Sequence, residues 1–283
     1  MPIGTAPVGQ SVCSVEPSSF YAPSCSIGTQ ADTCCNLEQG HLLVTFCASL
    51  FGCLSGAPVR RQSFRSVARA DLRHGRSPSV WNAGSGSSGP ADSWTGHGLW
   101  PDRCDGSYDA YCDPSQEVAN VTAVLESYGQ TELLDYMNEF WIGNNGNEDL
   151  WSHETNKHGT CISTIKKACY TNYYPQAEIV TYFQRTTEFF KALPSYDWLA
   201  EAGIVPSVDK TYTLAEITSV LEAKHGGGVN VNCGKGGVLS ELWYHYASQG
   251  SLIDGDIVPV PLVGSGSTCP ATGIKVRATC CRR

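Results

Sequence analysis

The first clear apolar run in the chain is HLLVTF at 41–46, which has the length and content of a strand. From Cys47 to about Ser79 the apolar residues follow neither a helical nor a strand period, and the Gly/Ser-rich NAGSGSSGP after them reads as a loop. Asp113-Pro114 opens a predicted helix through about Tyr128, with Val118, Val121 and Leu125 on one face. A second helix from about Leu133 to Trp141 spaces Leu133, Met137 and Phe140 helically. The polar turn GNNGNED precedes a third from about Leu150, and the longest helical pattern, Tyr174 to Leu193, aligns Ile179, Val180, Phe183 and Phe190. Thr213 and Glu216 form a capping box for a helix that Gly226 stops. The last third reads as strands: VNVNC, GVLSELWYHYA and DIVPVPLV. Helices between early and late strands predict an α+β single domain, a central antiparallel sheet flanked by helices. No internal repeat is evident.

Composition refines this outline. A chain of 283 residues with 41% hydrophobic content can bury the core of one domain, and no apolar run reaches the roughly 18 residues of a membrane span. Fourteen cysteines with no zinc-ligand spacing point to an oxidising compartment and a disulfide-stapled fold. The first dozen residues, MPIGTAPVGQSV, have neither a basic nor a continuous apolar stretch, so the leader such a protein needs is not in them. Charge is uneven: residues 60–76 carry +5 and the tail from Val276 carries +3, so the rest of a chain of net −8 carries −16. An acidic body repels polyanions, which disfavours a general nucleic-acid-binding module and requires any polyanion to be held at a local site.

Two segments concentrate chemistry, SWTGHGLWPD at 93–102 and LWSHETNKHGTC at 150–161. On a helical wheel His153, Glu154, Lys157 and His158 fall at about 0°, 100°, 40° and 140°, so they share one side. Two imidazoles, a carboxylate and an ammonium suit binding and protonating an oxyanion. A zinc site would need its histidines at i and i+4. His153 and His158 are i and i+5, and Lys157 between them repels a cation, so no metal is expected. His41, His225 and His245 read as structural, and His74 has no assigned role.

HGLWPD and HETNKHGTC resemble the two active-site segments of the T2 family of acid, base-non-specific ribonucleases. Ten cysteines follow the order of its fungal members, including the adjacent Cys34-Cys35 and the stretch from Cys104 to Cys112. The resemblance covers about residues 12–46 and 80–275 and implies the pairs Cys13–Cys35, Cys25–Cys104, Cys34–Cys169, Cys112–Cys161 and Cys233–Cys269. It implies that His158 takes the 2′-OH proton of single-stranded RNA and His97 protonates the departing 5′-oxygen, leaving a 2′,3′-cyclic phosphate. Glu154 and Lys157 would polarise the phosphate and His153 would bind it. Trp100, Asp102 and Tyr108 would form a base site with little base preference. The implied protein is a secreted or vacuolar monomer that needs no cofactor and binds neither DNA nor membrane. Asn120-Val121-Thr122 is a glycosylation sequon. The alternatives are a catalytically impaired relative acting as a binding or storage protein, or a mis-spliced product.

Thr155 and Leu150 stand where the family favours aromatics. The larger departure is 47–79: family members pass from the LLVTF-like strand almost directly to a segment like VWNAG. Residues 47–79 and the tail 276–283 hold nine of the eleven arginines and the leftover cysteines Cys47, Cys53, Cys280 and Cys281. Both pieces are expected to be non-native, most simply translated introns, interrupting a domain that otherwise spans 12–275.

Overall fold

The structure is a computed structural model that describes residues 9–11, 41–47, 90, 92–262 and 266–277. Five strands, β1 (His41–Cys47), β2 (Thr95–Asp102), β3 (Val229–Gly234), β4 (Val238–Gln249) and β5 (Asp256–Pro259), form one antiparallel sheet in the order β2-β1-β4-β3, with β5 paired to β4. The helices are α1 (Val121–Ser127), α2 (Thr131–Phe140), α3 (Asn147–Lys157), α4 (Ala177–Ala192), α5 (Ser195–Glu201) and α6 (Leu214–His225). This is the α+β arrangement of antiparallel sheet and flanking helices. No helix among the described residues is long and apolar enough to cross a membrane.

The core joins Leu42, Val44 and Leu99 of the sheet to Ile179, Val180, Tyr182, Phe183 and Phe190 of α4. Tyr182 hydroxyl bonds both the amide and the carbonyl of Leu99 at 3.2 Å, so the helix is registered against β2 by polar as well as apolar contact. The capping box on α6 is present, and Gly226 ends that helix with φ 85°.

The helix expected over 113–128 is two elements. Asp113 closes a single 3-10 turn by accepting from the Ser115 amide, and a new helix starts where Asn120 accepts from the Ala123 amide. Between them Val118 is drawn off the helical path by hydrogen bonds to Asn156 of α3, at 2.8 Å through its amide and 2.9 Å through its carbonyl. Glu148 of α3 takes up the amides of Val121 and Thr122. The expected strand over 256–263 stops at Pro259, since proline cannot donate to a ladder. In contrast, TGHGLWPD, with two glycines and a proline, is a strand because β1 supplies its ladder.

Disulfides join Cys112 to Cys161 and Cys233 to Cys269. Cys104 and Cys169 are also disulfide-bonded. Cys13, Cys25, Cys34 and Cys35 lie outside the described residues, as does the expected insert apart from Cys47, which ends β1. At the expected tail, the Val276 carbonyl accepts from the Ser207 amide at 3.0 Å and Arg277 bonds the Ser207 carbonyl at 2.8 Å, so these two residues dock on the body.

Candidate active site

The β2 ladder slips at its centre: Thr45 pairs with Gly98 and Phe46 with Gly96, leaving His97 as an extra residue. Strict alternation would put His97 and Trp100, three positions apart, on opposite faces. The bulge lifts that constraint, and the two rings meet edge to face with centroids 5.0 Å apart. Buried tryptophans pin the bulge. Trp141 Nε1 donates to the His97 carbonyl at 2.9 Å, and Trp151 Nε1 donates to the Trp141 carbonyl at 2.8 Å. The flanking glycines have a steric reason, because a Cβ at Gly96 would fall on the Phe190 ring and one at Gly98 on Glu154 Oε2.

Helix α3 delivers the second half. Glu154 is wholly buried, receives the Trp100 indole N–H on Oε2 at 2.6 Å, and sets Oε1 3.3 Å from His97 Nε2. Burial works to raise the Glu154 pKa, but the charge and hydrogen bond of His97, the charge of His158 and the Trp100 N–H outweigh it and hold the carboxyl below its ordinary value. His158 caps the C-terminus of α3, 4% exposed, with its imidazole stacked on Trp100 at 4.8 Å and 21°. Neither ring nitrogen of His158 has a hydrogen-bond partner. Burial pushes its pKa down to about 4 against the pull of Glu154, with Lys157, His153 and His97 adding to the depression.

The wheel therefore splits. Glu154 and His158 point inward, Lys157 is partly buried, and His153 is exposed, though both cations act on His158. Glu154, expected to polarise the phosphate, has its oxygens turned to Trp100 and His97, because the missing Cβ of Gly98 leaves room there. Trp100, expected to stack a base, has an imidazole on its face. Asp102 is partly buried and burial raises its pKa to about 7. Its backbone bridges to Tyr108, whose ring is 63% exposed.

Trp243 of β4, Trp141, Trp151 and Tyr182 were not singled out by the sequence. Trp243 meets Trp100 edge to face at 5.8 Å. Apolar alternation places it on a strand, but no local signal places it across β1 from Trp100. His225 and His245 lie away from the site and are buried in their own hydrogen bonds. Among the described residues no three His, Cys, Asp or Glu side chains are grouped to hold a metal ion.

The profile of the Ribonuclease T2 family matches residues 77–255. The chain is 50% identical over 189 residues to "Ribonuclease T2" of Aspergillus oryzae, a match covering 66% of this chain and 68% of that protein. It is 51% identical over 187 residues to "Ribonuclease T2-like" of Aspergillus fumigatus, covering 66% of this chain but only 46% of that protein, so it spans about half the length of that relative. The crystal structure of Actibind, a T2 ribonuclease, superposes with a TM-score of 0.76 at 40% identity, covering 92% of this chain and 96% of that one. With the profile spanning more than half its length, this chain belongs to the ribonuclease T2 family.

Proposed function

We propose that this chain is an endoribonuclease that cleaves single-stranded RNA by metal-independent transphosphorylation. One observation carries the reading: a strand bulge and a helix end bring two imidazoles to one indole, one beside an ionised carboxylate and the other neutral with open nitrogens. RNA supplies its own nucleophile, so the protein need only move two protons and stabilise charge. His158, neutral above about pH 4, accepts the 2′-OH proton as the 2′-oxygen bonds to phosphorus. The P–O5′ bond breaks as His97, kept charged and oriented by Glu154, donates its proton to O5′. The products are a 2′,3′-cyclic phosphate and a 5′-hydroxyl, and the histidines have exchanged protonation states.

Lys157 and His153 supply positive charge to the phosphate at the rim. Tyr108 stacks on a base and Asp102 meets its edge, an arrangement that binds most bases alike. That relatives of this length and identity are named ribonucleases supports the assignment. The disulfides suit an extracellular or vacuolar protein. Purified protein is to be incubated with homopolymer RNAs and with DNA, with and without EDTA. Cyclic phosphates from every RNA, unaffected by EDTA, and intact DNA are expected. Loss of activity in EDTA, or cleavage of DNA, overturns the proposal.

A further inference from the structure

Trp100 touches more of the proton-transfer machinery than any other side chain in the site, and those contacts use up the surfaces a base would need. Its Nε1–H donates to Glu154 Oε2 at 2.6 Å, the short distance of a charge-assisted bond. One face carries the His158 imidazole at 4.8 Å, and Trp243 and His97 meet the ring at 5.8 and 5.0 Å. Gly98 gives an independent sign that this bond is built in. A Cβ there would lie on Glu154 Oε2 and 2.8 Å from Trp100 Nε1, so the glycine vacates the volume that the hydrogen bond occupies. His158 has no hydrogen bond to orient its ring, so the indole stack is what sets the plane in which its nitrogens face outward.

We infer that Trp100 is a positioning residue for both proton-transfer groups, acting through its N–H on Glu154, and so on His97, and through its ring on His158, rather than a platform for the RNA base. The inference rests on the catalytic reading above and narrows the base site to Asp102 and Tyr108. A buried carboxylate without donors is costly and free to rotate, whereas one held by the indole keeps Oε1 against His97. The groups facing Glu154 are His97 and Trp100 from β2, His158 from the end of α3 and Tyr182 from α4.

Trp100→Phe keeps an aromatic face and removes the N–H. In the full chain, with a dinucleoside phosphate as substrate, kcat is expected to fall by about 10-fold or more, within the range of a misplaced general acid. KM should change by less than about twofold, equally for purine and pyrimidine. The acid limb of the rate profile should move to higher pH, because Glu154 loses a donor that lowers its pKa. In a Glu154→Gln background the same change should cost almost nothing further, since the two act as one unit. A rise in KM that depends on the base, with kcat intact, or full additivity with Glu154→Gln, overturns the inference. An NMR arm separates this from the catalytic reading and holds even if Trp100→Phe folds poorly. The Trp100 indole N–H resonance should move when Glu154 is replaced by Gln, and an unmoved resonance overturns the contact. A wild-type chain that cleaves no RNA would sink the function while leaving that result to stand or fall alone.

Discussion

The His97–His158 and His225–His245 pairs are built alike, each from one histidine on a sheet strand and one at a helix end, and both lie among aromatic rings. Their hydrogen bonding differs. His225 Nε2 meets the His245 carbonyl at 3.2 Å, and His245 Nε2 meets Asn230 Oδ1 at 2.6 Å. His158 is as buried, yet both its nitrogens lack partners. An unsatisfied buried polar group costs roughly 1–3 kcal/mol, so folds keep one where chemistry uses it. The contrast teaches that burial alone does not mark a functional histidine. Open nitrogens beside a charged partner do.

The comparison breaks most visibly at the first pair. His158→Ala and His97→Ala should each lower the cleavage rate by ~10²–10⁴-fold with the fold intact by circular dichroism. A variant near wild type in the RNA assay removes that histidine from the reaction. Gly98→Ala comes next. Its methyl group would displace the Glu154 carboxylate, and misplacing such a group costs on the order of 10²-fold in kcat. Unchanged kcat would show that the carboxylate is not needed where it sits.

The pH dependence sharpens the same contrast. The folded pKa of His158 is lowered from 6.5 to about 4, so the unfolded chain binds that proton more readily. Its contribution to stability is present above 6.5 and is lost as pH falls toward 4. Over that window the base stays neutral in the folded protein. Activity should therefore extend well into acid and peak below neutrality, where His97 is protonated and the acidic body attracts fewer cations away from RNA. A rate profile that peaks above neutrality contradicts the assignment. The smallest effect on catalysis belongs to the second pair. Asn230→Ala should cost about 1–3 kcal/mol in denaturant unfolding while cleavage per folded molecule stays within about twofold. A large loss of turnover there would mean that this pair is not merely structural.

Much of the site was legible because its chemistry is carried by side-chain identity: two histidines, a carboxylate and a lysine in two short segments. Its geometry was not. The bulge at His97 comes from a ladder with β1, and glycines and a proline argue locally against the strand that forms. The wheel placed Glu154 and His153 on one side, but it could not show that Gly98 opens a pocket for the first and leaves the second in solvent. The tryptophans that pin His97 were missed because an indole hydrogen bond has no sequence period. Helices with caps, such as α6, were read closely, whereas the segment before α1 was misread because its break comes from Asn156, far along the chain.

The central claim is that His158 takes the proton and His97 gives one. A dinucleoside substrate whose 5′-oxygen is replaced by sulfur tests it most directly, since a thiolate leaves without being protonated. With that linkage His97→Ala should cleave at nearly the wild-type rate, while His158→Ala remains as defective as on the oxygen substrate. Rescue of His158→Ala instead, or of neither variant, would contradict the account.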